Sequence, residues 1–170
     1  MKNIITIIAV LSFGLSYGQW TKTYGGLDIE YGKAVQQTVD GGFVFTGSTK
    51  SYGNGDYDVW LIKTDNNGDS LWTKTFGGIN NDQGWDIKQT TDGGFIISGE
   101  TIKSFNPDIW LIKTDNNGDT LWTNTFGGWN YEKAYCVNQT SDKGFIITGT
   151  SNSFGSNTYS DLYLIKTDSN

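Results

Sequence analysis

Three near-copies of one unit of about 50 residues run through almost the whole of this chain. Trp20-Thr21-Lys22-Thr23-Tyr24-Gly25-Gly26 returns as Trp72-Thr73-Lys74-Thr75-Phe76-Gly77-Gly78 and again as Trp122-Thr123-Asn124-Thr125-Phe126-Gly127-Gly128. Asp40-Gly41-Gly42-Phe43 recurs as Asp92-Gly93-Gly94-Phe95 and, with one change, as Asp142-Lys143-Gly144-Phe145. Trp60 to Asp65 recurs as Trp110 to Asp115 and as Tyr163 to Asp168. A chain built this way must fold as equivalent units that bury their apolar faces on one another. The repeats run over residues 20–71, 72–121 and 122–170.

Each unit divides into four strands by its turn chemistry. In the middle copy, Gly84 to Thr90 predicts the first strand, with Trp85, Ile87 and Gln89 on one face. Thr91-Asp92-Gly93-Gly94 predicts a turn, because glycine tolerates positive φ. Phe95 to Gly99, Asp108 to Thr114 and Leu121 to Phe126 follow as strands two to four. Asp115-Asn116-Asn117-Gly118-Asp119 joins the last two, and Asn-Gly is a strong hairpin signal. The third strand is apolar on both sides at Ile109, Trp110, Leu111 and Ile112, as befits a sheet sandwiched between two others. With 23 Gly, one Pro and 15% aromatics, the composition suits short strands, tight turns and large side chains between sheets.

The expected class is therefore all-β, with four-stranded antiparallel units stacked face to face as β-propeller blades. The Asp-Gly-Gly-Phe turn, the Trp-Leu-Ile-Lys-Thr-Asp strand and the Trp-Thr-Lys-Thr-Phe-Gly-Gly strand resemble the repeats of secreted bacterial β-propellers. The resemblance spans residues 20–170 and implies blades and an extracellular or outer-surface setting. Such repeats stand near the quinoprotein and galactose-oxidase-like propeller superfamilies. The chain has no His and one Cys, so the metal or quinone ligation of those enzymes is not visible in it. A β-trefoil, which also closes with three units, is the alternative fold.

The phase of the repeats carries a further expectation. The chain opens on a fourth strand, Trp20 to Gly26, and closes on a third, Asp161 to Thr167. Three blades are fewer than the roughly 4 to 8 that close a propeller. The expectation is an arc belonging to a longer propeller, with two chains forming a six-blade homo-oligomer as the second reading.

Composition narrows function. The formal net charge is −6 and every basic residue is Lys, so neither the basic face nor the bidentate forks of a nucleic-acid binder are present. Without His, the usual general base at neutral pH and the commonest metal ligand are missing. Cys136 has no partner for an intrachain disulfide and reads as a small buried hydrophobe. Lys2, the apolar run Ile4 to Leu15 and Ser16-Tyr17-Gly18 have the layout of a secretory signal peptide over residues 1–18. That apolar run is short for a membrane span, so the mature protein is expected to be secreted or at the cell surface, without crossing the membrane.

Loops after strands one and three are nearly identical among the copies and read as structural. Loops after strands two and four vary and lie together at the other end of the blades, where binding usually resides. The strand-four loops carry Asp28, Glu30, Asp82, Glu132 and Trp129. Glu30, Asp82 and Glu132 are equivalent, and either ring the axis with negative charge or cap local turns. The strand-two loops carry Tyr57, Phe105 and Tyr159, aromatics of the kind that hold sugars or peptides. Asp65 to Asp69 and Asp115 to Asp119 have oxygen-rich side chains but lack the spacing and distal Glu of a calcium loop, so they read as hairpin turns. No cofactor or metal is expected. Nor does a catalytic pair of carboxylates stand out. The expected function is non-catalytic: a secreted segment presenting a loop face to protein or glycan. The alternative is a portion of a larger secreted, glycan-active enzyme.

Overall fold

The computed structural model describes residues 18–102, 105–156 and 159–169. Residues 1–17, and so the body of the expected signal peptide, lie outside them. The described chain is all-β, and its strands form three separate antiparallel sheets. The first holds β1 (Glu30–Gln37), β2 (Phe43–Thr49), β3 (Asp58–Thr64) and β4 (Ser70–Phe76) in that order. The second holds β5 (Asp82–Gln89), β6 (Phe95–Ile102), β7 (Pro107–Thr114) and β8 (Thr120–Phe126). The third holds β9 (Glu132–Gln139), β10 (Phe145–Ser151) and β11 (Asp161–Thr167).

Every ladder joins strands that are consecutive in sequence and belong to one sheet, and each sheet is out of phase with the repeat bounds, since β4 and β8 are formed by the opening residues of the following repeat. The three sheets pack on one another mainly through side chains, which is the arrangement of propeller blades. A trefoil needs its three units to pair into one barrel, and no pairing between the three sheets is present among the described strands. The first strands are innermost: β5 packs on β1, β2 and β3, and β9 packs on β5, β6 and β7.

The core lies between sheets. Val44, Val59 and Leu61 of the first blade meet Ile87, Phe95, Ile97 and Ile112 of the second. Ile96, Ile109 and Leu111 of the second meet Ala134, Val137, Phe145, Ile147 and Ile165 of the third. This explains the doubly apolar third strand. Leu111 faces one neighbouring blade and Ile112 the other, and both are buried. Outer-strand tryptophans seal the seams. Trp72 meets Phe95 edge-on at 5.9 Å between ring centroids, and Trp122 meets Phe145 at 5.7 Å.

The turns after strand one are hydrogen-bonded units. The Asp92 carboxylate accepts from Thr90 Oγ1 at 2.5 Å, Gly94 N at 3.0 Å and Lys113 Nζ. The third turn residue has left-handed φ, +84° at both Gly41 and Gly93, and +67° where the third copy has Lys143. In the hairpin before β4, Asp65 Oδ1 accepts from the backbone N–H of Asn67 and Asp69 at 2.9 and 2.8 Å. The same bonds recur at Asp115. These carboxylates are used by their own turns.

Three features depart from the sequence reading. Trp20 to Gly26 is not a strand, because none of the described strands lies beside it to complete a ladder. Each innermost strand carries a bulge, at Lys33, Trp85 and near Tyr135, where one residue is left without a cross-strand partner. The glycine facing the bulge lets the backbones approach: a Cβ on Gly99 would run into the Gln83 carbonyl. The simple alternation from Trp85 to Ile87 therefore fails. Ile87 enters the core, while Trp85 stays half-buried under two lysines. Cys136 is half-buried rather than fully buried, and its burial pushes the thiol pKa up.

Candidate binding rim

The loops after strands two and four form one hydrogen-bonded rim. Within a blade, Asp28 N and Asn130 N each donate at 2.8 Å to the serine that opens the strand-two loop, Ser51 and Ser153. Across the seams, Tyr57 O accepts from Asp82 N at 2.7 Å, and Asn106 Nδ2 donates to Trp129 O at 2.9 Å. Adjacent loops are thus braced against each other as well as against their own blade.

Glu30, Asp82 and Glu132 sit inside this rim as caps. Glu132 is fully buried and accepts from Gly128 N at 2.8 Å, Ser151 Oγ at 2.7 Å and Ser153 N at 3.1 Å. Burial would raise its pKa, but the bonds from Ser153, Ser151 and Gly128 outweigh it and hold the pKa low. Asp82, 2% exposed, accepts from Gly78 N at 2.9 Å. Glu30 accepts from Thr49 Oγ1 at 3.0 Å, and its pKa is lowered chiefly by Ser51. Glu30 and Glu132 are spent on local donors, and Asp82 uses Oδ2 on Gly78 N while its buried Oδ1 has no hydrogen-bond partner among the described residues, so the three acids hold the loops and do not stand out from the rim as a ring of exposed charge. Asp28 caps its own loop, accepting from Ile29 N at 2.8 Å.

With their acids turned inward, the strand-four loops turn apolar side chains outward. Leu27, Ile79 and Trp129 occupy one equivalent position and are 107%, 84% and 94% exposed. Trp129 was legible as a candidate, whereas Leu27 and Ile79 were missed. The offsets of 52 and 50 residues would have found them, since all three copies keep a large apolar residue just after Gly-Gly. Phe105 and Tyr159 from the strand-two loops are also exposed, at 93% and 79%. Tyr57 is different. It lies half-buried against Tyr31, with Lys50 Nζ 4.5 Å from its ring centre, and serves the loop rather than the surface. At the rim end of the second blade Asp82 and Ile79 help line a cleft of about 350 Å³ with Thr101, Ile102 and Trp110.

Just below the rim, the bulges gather charge and rings on the innermost strands. Lys133 Nζ lies 3.5 Å from the Trp85 ring centre and Lys33 Nζ 4.4 Å, an arrangement of cations over an indole. Beside them Tyr131 Oη donates to the buried Glu100 carboxylate at 3.2 Å. Burial raises the Glu100 pKa against the pull of Lys133, and raises that of Tyr131 as well. These residues were invisible as a site in the sequence, because a bulge has no periodicity of its own.

Among the described residues no group of three or more His, Cys, Asp or Glu side chains is placed to hold a metal. Among the described residues no helix is long and apolar enough to cross a membrane. Comparison of the chain with known protein families and with curated proteins gave no match.

Proposed function

We propose that this protein is a non-catalytic extracellular binding module whose rim engages a polypeptide partner. The observation that carries this reading is the equivalent placement of Leu27, Ile79 and Trp129 in solvent on a braced rim. Large apolar side chains held out by a rigid scaffold lose little entropy on docking and recover the cost of their exposure. Two of the three tips are aliphatic, which favours the apolar side chains of a protein over the faces of a sugar. Lys33 and Lys133 below the rim add positive charge to an acidic chain, which suits a partner carrying carboxylates among its apolar residues. Export through the expected leader agrees with this role.

Peptide and glycan arrays probed side by side test the reading. The parent chain should mark peptides that pair apolar and acidic residues, and a variant with Leu27→Ser, Ile79→Ser and Trp129→Ser should lose those signals. Glycan signals that survive the triple substitution, or peptide signals it leaves unchanged, would overturn it.

A further inference from the structure

The two seams inside the molecule are the same interface made twice, and the chain carries both halves of a third. On the outgoing side of each seam stand Val44, Val59 and Leu61, then Ile96, Ile109 and Leu111, all 0% exposed. Their equivalents on the third blade are Ile146, Leu162 and Leu164, and there Leu162 is 79% and Leu164 62% exposed. On the receiving side, Ile87 and Val137 are 0% exposed, while their equivalent Val35 on the first blade is 68% exposed. In front of Val35, Phe43 and Phe45 lies a cleft of about 490 Å³, where the next blade along has Val44, Val59 and Leu61 packed into it.

The polar contacts of the seams repeat as well. Val39 N donates to Gln89 Oε1 at 3.0 Å, and Thr91 N donates to Gln139 Oε1 at 2.9 Å. The third equivalents are Ser141 N on the outgoing side and Gln37 on the receiving side. Gln37 is already set as its counterparts are, with its Nε2 on the Gly41 carbonyl at 3.2 Å, as Gln89 is on Gly93.

The segment before β1 supplies the last part. Trp20 rests on Phe43, and Lys22 pairs with Asp69 at 2.7 Å, as Lys74 does with Asp119. Trp20 to Gly26 therefore holds the seat of a fourth strand, and among the described strands no third strand lies beside it. Among the described strands β11 is likewise a third strand with no fourth paired to its outer edge. In the complete blades Lys63 faces Trp72 and Lys113 faces Trp122. The same register sets Lys166 of β11 opposite Trp20 of another molecule.

We infer that two copies of this chain join head to tail. The outgoing face of the third blade in each copy covers the receiving face of the first blade in the other. Trp20 to Gly26 then completes the partner's third blade as its fourth strand. Two arcs of three make six blades, inside the roughly 4 to 8 that close a ring. Because the joint is heterologous, closure at two copies also removes both open edges, which would otherwise invite further association.

Sedimentation equilibrium of the purified chain tests this. The chain, purified without residues 1–18, should sediment at twice the mass of one copy. Leu164→Glu and Val35→Glu, both on exposed side chains, should each reduce it to the single-chain mass while leaving the far-ultraviolet circular dichroism unchanged. An equimolar mixture of the two variants should regain the double mass, since each lends the other one intact half of the joint. A parent chain at single mass overturns the inference and leaves the faces to blades of some other origin. So does a double mass that Val35→Glu does not change, because that joint would be isologous. If either variant fails to fold, the parent mass still decides.

Discussion

Trp20 meets Phe43 edge-on, with ring centroids 5.9 Å apart and planes at 65°, in the geometry that Trp72 makes with Phe95 and Trp122 with Phe145. The first of these contacts forms without a strand ladder behind it. The tryptophan is thus placed by the receiving blade, through the ring contact and the Lys22–Asp69 pair, and not by its own sheet.

The seam tryptophans should carry much of the stability between blades. Trp72→Ala removes a large ring from the first seam, and a loss of about 3 kcal/mol is expected in denaturant unfolding. In the Leu164→Glu variant, which should hold the protein at single mass, Trp20→Ala should cost clearly less, about 1 kcal/mol, since Trp20 is 45% exposed in the single chain. Equal costs for the two would show that the seam is not where Trp72 acts.

Glu132 should act as a cap. Glu132→Ala leaves Gly128 N, Ser151 Oγ and Ser153 N without their acceptor in a closed site, and a loss of about 3 kcal/mol is expected. Glu132→Gln keeps an acceptor for part of that set and should cost less. Urea unfolding of both variants checks the order.

Lys143 stands where the other copies have glycine at left-handed φ. A residue with a Cβ is strained there, so Lys143→Gly should stabilise the protein by about 0.5 to 1 kcal/mol, and Gly93→Lys should destabilise it comparably. Thermal melts of the two single variants read this directly.

Acid should loosen the strand-one turns. Asp40 has its pKa lowered to about 2 by the Thr38 hydroxyl and then Lys63. Asp92 is also near 2: burial raises it, but Thr90 and Lys113 lower it further. A carboxylate with a depressed folded pKa adds stability that is present above its unfolded value of about 3.9 and is lost as pH falls through the folded one. The melting temperature should therefore fall between about pH 4 and pH 2. The double variant Asp40→Asn and Asp92→Asn should start lower and show a shallower fall in that window.

Much of the fold was legible because it is written three times. The Asp-Gly-Gly turns, the Asn-Gly hairpins and the doubly apolar third strand each follow from local chemistry, and together they specify stacked four-stranded sheets. What was not legible depends on partners distant in sequence. Trp20 to Gly26 reads as a strand at Trp72 and Trp122 but needs a neighbour to become one. The bulge at Trp85 follows from the close approach of Gly99 to Gln83, which no residue pattern announces. The rim is marked in the sequence by its variability, and of the two readings open for its acids, axial charge or local caps, the structure has the caps, while the aliphatic tips were missed. The acids Glu30, Asp82 and Glu132 drew notice and proved to be internal supports, while Leu27 and Ile79 drew none and stand in solvent.

The outward placement of these apolar tips is central to the proposed function, and hydroxyl-radical footprinting of the folded chain tests it most directly. Leu27, Ile79 and Trp129 should be oxidised about as fast as in the urea-unfolded chain, while Ile87, Ile97 and Leu111 on the seams stay protected. Protection of Ile79 and Trp129 comparable to that of the seam residues would contradict it.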